Sequence, residues 1–169
     1  MKLLRLIPIL IISLGILPLT DSIANELDTN KYKVLNNTEK NISTLNVQDF
    51  LRKGDIAVDD GDFDKAKEFY DRARNLSKQI SSFYRDLNSS FRGVDARIPR
   101  EMDNKGRESI KLWAESNSRL ASFYISRKQP EVAVPLLVEI IRLMSPSSTE
   151  GKEAYKNLVN IGFVETPYN

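Results

Sequence analysis

The sequence predicts an all-α fold with two elongated antiparallel helices at its centre. Through the middle of the chain, apolar side chains recur every three or four residues, which is the spacing of one face of an α-helix. From about Asp64 to Arg92 neither glycine nor proline interrupts this spacing, so one helix of about 40 Å is expected. The members of its apolar stripe are Phe69, Ala73, Leu76, Ile80, Phe83, Leu87 and Phe91.

A second apolar stripe predicts the returning helix, which is expected to begin between Pro99 and Asn104. Its members are Ile110, Trp113, Leu120 and Tyr124. Asn117 lies between them on the same face, and an asparagine there is more typical of a hydrogen-bonded core residue than of a ligand contact. The far ends of the two long helices are expected to extend beyond the rest of the fold as a hairpin arm.

A shorter helix is predicted from about Thr149 to Ile161. Ser147 and Glu150 have the spacing of a capping box at its start, and Gly162 is placed to end it. We expect this C-terminal helix to cover the face left open by the helices before it.

The ends of the chain predict an exported protein. Residues 1–24 have a basic start, an apolar stretch of 14 residues (Leu6–Leu19) and small residues at Ser22 and Ala24, as in a cleaved secretory signal. The alternative is an uncleaved anchor, which would keep the chain near a membrane. We expect a flexible leader at 25–45, a helical domain at 46–162, and a tail at 163–169 that either packs on the last helix or binds a partner.

Composition argues against several classes of function. The chain has 25 basic and 23 acidic residues, a net charge of +2, so nucleic acid is not an expected partner. It has no histidine and no cysteine, and therefore lacks the commonest general base, thiol nucleophiles, and imidazole and thiolate metal ligands. Neither a cofactor nor a metal is predicted, and the protein is not expected to be an enzyme, although a hydrolase based on carboxylates remains chemically open. The acidic run 59–64 does not follow the calcium-loop pattern and is interpreted as a turn.

Residues 50–77 resemble the tetratricopeptide repeat (TPR), a helix–turn–helix unit of 34 residues with small and large side chains at fixed positions. The matching positions are Phe50, Gly54, Gly61, Phe63, Ala66, Tyr70 and Ala73. A second match follows at Leu120, Ala121, Tyr124, Ala133, Leu137 and Ile140, with Lys128 in place of the turn glycine. Ala66 and Ala133 are about two periods apart, so the long hairpin is interpreted as an insertion between two TPR-like hairpins. The whole chain resembles small exported TPR proteins of photosynthetic bacteria, which implies the periplasm or the thylakoid lumen.

The resemblance implies a protein-binding surface on the first helix of each unit. Carried over by position, its candidates are Leu51, Arg52, Asp55 and Asp59 in the first unit, and Ser118, Arg119, Ser122 and Ile125 in the second. A separate candidate is the basic tip of the hairpin, with Arg92, Arg97, Arg100 and Arg107. The alternative for the tip is a solvated connector whose charges pair with one another.

These observations together predict an exported adaptor or assembly factor that binds another protein and does not catalyse a reaction. The sequence does not identify that partner. The alternative is a structural subunit that self-associates or completes a membrane-bound complex. An unpaired arm would leave Phe83, Leu87 and Phe91 partly exposed, which favours this second class.

Overall fold

The computed structural model describes residues 42–168, and these residues form five helices without a β-strand. The helices are α1 (Thr44–Asp59), α2 (Phe63–Ser90), α3 (Arg97–Ser126), α4 (Pro130–Met144) and α5 (Thr149–Asn160). The all-α prediction is therefore confirmed for this part of the chain. The predicted signal, 1–24, and the leader up to residue 41 lie outside the described residues. Within residues 42–168, no helix combines the length and the apolar character that crossing a membrane requires.

The two long helices pack against each other in antiparallel directions. Near one end, Asn88 Nδ2 donates to the Pro99 carbonyl oxygen at 2.9 Å, and farther along, Arg74 Nε donates to Asn117 Oδ1 at 2.7 Å. From Asn88 to Arg74 the residue number in α2 decreases, while the number of the partner in α3 increases from 99 to 117, so the helices run in opposite directions. The hairpin of elongated helices is as predicted.

The connection between the long helices is shorter than expected. Helix α3 begins at Arg97, before the predicted window that opens at Pro99. Pro99 is the third residue of the helix, where its backbone nitrogen has no hydrogen-bonding role to lose. A proline in a first turn is compatible with a helix that starts upstream of it, and the predicted start was wrong for that reason.

Small residues bring α1 and α2 close together. Ala66 and Ala73 are fully buried, and Gly54 faces the ring of Tyr70 so closely that a Cβ there would lie 2.4 Å from Tyr70 Cε1. Phe50 fills the neighbouring space and stacks on Phe69, with 6.4 Å between ring centroids. The predicted division between small contact residues and large filling residues holds at these positions.

Phe63, one of the large positions of the repeat pattern, is less buried than the other large positions of the first unit, Phe50 and Tyr70. It is the first residue of α2 and is 38% exposed. Its ring lies 6.3 Å from that of Phe123, and the Arg127 guanidinium lies 4.4 Å from its centroid. Phe63 therefore packs against α3 at the partly exposed start of α2.

The α1–α2 turn and the α3–α4 turn use the same backbone conformation with different residues. Gly61 ends α1 with φ 76°, and Lys128 ends α3 with φ 58°. In both turns the next residue donates its N–H to the carbonyl five positions earlier, as in a Schellman motif. For lysine this left-handed conformation costs about 1–2 kcal/mol, which glycine avoids. The α3–α4 turn therefore has backbone strain that the α1–α2 turn lacks.

Helix α5 packs against α4 at the C-terminal end of the fold. Its N-cap is Ser148, whose Oγ accepts the Gly151 N–H at 2.9 Å, so the predicted cap at Ser147 was one residue early. Gly162, at φ 75°, ends the helix as predicted. A Cβ on Gly151 would lie 2.0 Å from the Ser145 carbonyl oxygen, so only glycine allows the helix to approach this closely.

Burial divides the hairpin into two parts. No residue from 82 to 108 is buried, whereas both long helices contribute core residues outside this range. We call residues 82–108 the arm. Its helices contact each other but lie beyond the core formed with α1, α4 and α5.

Candidate functional site

A cleft of about 410 Å³ lies between α1 and α3, and we call it the α1/α3 cleft. Asp55 contributes from α1, and Ser118, Arg119 and Ser122 contribute from α3. The buried Tyr70 of α2 lines the same space. Three helices that are distant in sequence therefore place charged and hydroxyl groups around one opening.

Asp55 is the centre of the polar contacts in this cleft. Its Oδ1 accepts from Tyr70 Oη at 2.7 Å and from Arg119 Nε at 2.9 Å. Burial raises the pKa of Tyr70, and the hydrogen bond to Asp55 raises it further, so the phenol remains a donor. Burial opposes the charge of Arg119, but the contact with Asp55 outweighs it and raises the pKa of Arg119. The acid, the phenol and the guanidinium thus form a fixed group.

A second cleft of about 320 Å³, the α3/α5 cleft, opens between α3 and α5. Ser118 and Arg119 line both clefts, so the two adjoin at these residues. The α3/α5 cleft adds three carboxylates, from Glu115, Glu150 and Glu153. Its other charged residues are Lys111 and Arg119, and its apolar wall includes Leu137 and Ile140. Carboxylates beside an apolar wall suit a peptide segment that carries hydrogen-bond donors or basic side chains.

The structure brings together only some of the residues predicted for the repeat surface. Asp55, Ser118, Arg119 and Ser122 line the α1/α3 cleft. Arg52 is exposed and pairs with Asp49 at 2.6 Å, while Asp59 is exposed near the end of α1; neither lines a cleft. Ile125 is half-buried and packs against the core.

The prediction that Leu51 lines a partner surface is wrong. Leu51 is 4% exposed and belongs to the hydrophobic core. An aliphatic side chain of α1 gains more by packing against the neighbouring helices than by facing solvent. The position of Leu51 in the repeat pattern does not show whether its side chain faces the core or the partner surface.

Two of the four arginines predicted at the arm tip pair with nearby carboxylates. Arg97 Nη2 lies 2.7 Å from Asp95 Oδ2, and the Asp95 contacts lower the pKa of that carboxyl. Arg107 pairs with Asp103, one helical turn away. Arg92 and Arg100 are exposed and form no ion pair with any described residue. For Arg97 and Arg107, the structure matches the connector alternative.

Asn117 is a hydrogen-bonded core residue, as predicted. It is fully buried, and its Nδ2 donates to Glu139 Oε2 at 2.9 Å while its Oδ1 accepts from Arg74. Arg74 Nη2 also donates to Glu139 Oε2, at 2.6 Å. The indole N–H of Trp113 is buried without reaching hydrogen-bond geometry. Sequence reasoning missed Arg74 and Glu139; the polar break at Asn117 was the signal that a buried partner was needed.

The C-terminal tail folds back onto α5. Tyr155 Oη donates to the Thr166 carbonyl oxygen at 2.8 Å, and the rings of Tyr155 and Tyr168 meet edge to face at 5.8 Å. Lys152 lies over the Tyr168 ring. Of the two predicted alternatives, the structure shows packing on the last helix.

The described residues contain no group of three or more aspartate, glutamate, histidine or cysteine side chains placed to hold a metal ion. What they do offer is two adjoining clefts with fixed polar groups. Comparison with protein-family models, with curated proteins and with solved structures finds no match for this chain.

Proposed function

We propose that this protein is an exported, non-catalytic adaptor or assembly factor that binds a segment of another protein in its two adjoining clefts. The observation that carries the proposal is that the α1/α3 and α3/α5 clefts lie side by side and share Ser118 and Arg119 in their lining. Export is inferred from the signal-like sequence of residues 1–24.

A TPR-like arrangement accounts for the position of these clefts. In this interpretation, α1–α2 and α3–α4 are the two repeat hairpins, and α1, α3 and α5 present the binding surface. The small repeat positions Gly54, Ala66 and Ala133 are buried, which supports the interpretation. The large positions Leu120 and Leu137 are buried as well. The arm is then an extension of the second and third helices.

The chemistry of the clefts suits recognition of a peptide. Asp55 and Arg119 already satisfy each other, so they fix the shape of the opening without requiring a ligand. Glu150 and Glu153 form no ion pair with a described residue and are open to a partner. A partner segment with basic or amide side chains would complement them.

We expect Ser118→Trp to abolish partner binding, because Ser118 lines both clefts and an indole there would obstruct the place where they adjoin. Ser118 is exposed, so the substitution leaves the core intact. The measurement is affinity capture from a native envelope extract, followed by titration of the purified partner against wild type and variant. Asn104→Trp, on the exposed surface of the same helix, is the matched control.

A partner that binds wild type and Asn104→Trp but not Ser118→Trp would support the adaptor. Equal binding by all three proteins would contradict the cleft as its site.

A structural subunit is the second candidate, favoured by the exposed apolar side chains of the arm. Phe83 is 44% exposed, Leu87 43% and Val94 76%. If the arm associates with another copy, the chain is expected to sediment as a dimer or larger species. Replacing Phe83 and Leu87 by lysine is then expected to give a monomer. A wild-type chain that remains monomeric at high concentration would exclude self-association through this surface.

A further inference from the structure

The arm contains a groove of about 280 Å³ between α2 and α3, separate from both clefts. We call it the arm groove. Tyr84, Met102 and Ile110 contribute apolar surface, and Arg85, Arg92 and Arg107 contribute positive charge. None of these residues belongs to the buried core.

A glycine of α3 lines this groove. A Cβ added at Gly106 would lie 3.7 Å from Tyr84 Cβ, which is an ordinary contact distance. Close packing therefore does not require glycine. Glycine inside a helix costs about 1 kcal/mol relative to alanine, and it leaves this part of the groove wall without a side chain.

The positive charge of the groove is only partly neutralised. Arg107 pairs with Asp103. Arg85 contacts only the Ser82 hydroxyl, at 3.2 Å, and Arg92 only Asn88 Oδ1, at 3.4 Å; neither meets a carboxylate among the described residues. Two guanidinium groups thus have donors free for an acceptor from outside.

These two arginines reach the groove from neighbouring parts of the backbone. Arg85 belongs to α2, and Arg92 lies in the turn two residues beyond Ser90, the last residue of α2; both line the groove. In an extended peptide, every second side chain points to the same face. Two acidic side chains four positions apart, with an apolar side chain midway, would therefore face the groove together.

We propose that the arm groove binds an acidic segment of a partner protein. Arg85 and Arg92 hold two of its carboxylates, and Tyr84, Met102 and Ile110 receive the apolar side chain between them. Guanidinium groups bind carboxylates with two parallel hydrogen bonds. A membrane or a nucleic acid fits less well, because the groove is narrow and partly apolar, Asp103 lies within it, and the net charge of the chain is only +2.

This inference goes beyond the proposed function, because it assigns a second binding surface of different chemistry. The clefts present carboxylates, and the arm groove presents guanidinium groups. One chain would then connect two protein segments, each held at its own site.

The test is fluorescence anisotropy of the full chain with a labelled peptide that carries two glutamates four positions apart and a leucine midway between them. Its matched probe has glutamine at both glutamate positions. We expect the glutamate peptide to bind about tenfold more tightly than the glutamine peptide, and Arg85→Gln/Arg92→Gln to remove this difference. Arg52→Gln/Arg97→Gln, which removes the same charge outside the groove, is expected to bind as wild type does.

Charge reversal gives an independent readout that does not depend on loss of binding. Arg85→Glu/Arg92→Glu is expected to prefer a peptide with lysine in place of glutamate. Circular dichroism checks that each variant keeps its helices. If the glutamine double variant failed to fold, the reversed variant would decide the question.

Equal binding of the two peptides by wild type, undiminished binding by Arg85→Gln/Arg92→Gln, or no binding at millimolar concentration would each overturn the proposal. Vesicles of anionic phospholipid that displace the peptide and depend on the same arginines would assign the groove to a membrane instead. Ser118→Trp is expected to bind the peptide as wild type does, so failure at the clefts and failure at the arm groove are distinguishable.

Discussion

Gly54→Ala is expected to lower the free energy of unfolding by about 1–2 kcal/mol. The added methyl group would lie 2.4 Å from a ring carbon of Tyr70, and overpacking of a core costs about 1–3 kcal/mol. Alanine returns about 1 kcal/mol through helix propensity. The steric cost exceeds this gain because the ring cannot easily move: Tyr70 is buried and its hydroxyl is bonded to Asp55. Urea denaturation followed by circular dichroism measures the difference.

Gly106→Ala is the matched control for this substitution. The same methyl group meets nothing closer than 3.7 Å at Gly106, so only the propensity term remains and stability is expected to rise by up to about 1 kcal/mol. Opposite signs for the two substitutions would show that the close contact with Tyr70 determines the loss. If Gly54→Ala is neutral or stabilising, α1 and α2 are not packed as tightly as described.

Glu139→Gln is expected to lower the free energy of unfolding by about 2 kcal/mol near neutral pH. The carboxylate accepts hydrogen bonds from both Arg74 and Asn117, and loss of one partner of a buried ion pair costs about 3–5 kcal/mol. The expected value is smaller because Arg74 is 27% exposed and Glu139 15%, so water screens part of the interaction. Urea denaturation of wild type and variant provides the measurement.

The same substitution should show a defined pH dependence. Burial tends to raise the pKa of Glu139, but the hydrogen bonds from Arg74 and Asn117 outweigh it and hold the pKa below its ordinary value of 4.5. The folded state therefore gains stability from this carboxylate above pH 4.5, and loses the gain as the pH falls through the lowered pKa. The difference between wild type and Glu139→Gln should be full near neutral pH and shrink in acid.

Glu153→Gln, which changes an exposed carboxylate on α5, should show neither effect. A loss for Glu139→Gln that is the same in acid as at neutral pH would mean that shape, and not charge, determines the role of Glu139.

Local patterns in the sequence were sufficient to predict the helices. The stripe from Phe69 to Phe91 predicted α2 because every member lies three or four residues from the next. Gly61 and Gly162 marked helix ends because their left-handed conformations suit glycine. The start of α3 was misplaced because proline is compatible with more than one position in a first turn.

The candidate sites depended on contacts that local patterns do not encode. Arg74 meets Asn117 across 43 positions of sequence, and Arg119 meets Asp55 across 64. Amphipathic spacing shows which face of a helix is buried but not which helix lies against it. The arm groove was missed for a related reason. Helical spacing does not show that Arg85 of α2 lies beside α3 and lines the same groove as Arg92 and Arg107.

Because α2 is uninterrupted, it fixes the distance between the α1/α3 cleft and the arm groove and their relative rotation about the helix axis. Tyr70 lines the α1/α3 cleft and Asn88 lines the arm groove, and both belong to this single helix. Eighteen residues of helix set their separation at about 27 Å along the axis. A helix cannot stretch as a linker does, and one inserted residue would turn everything beyond it by about 100°. The number of residues in α2 between these two surfaces therefore sets both the distance between them and their relative orientation.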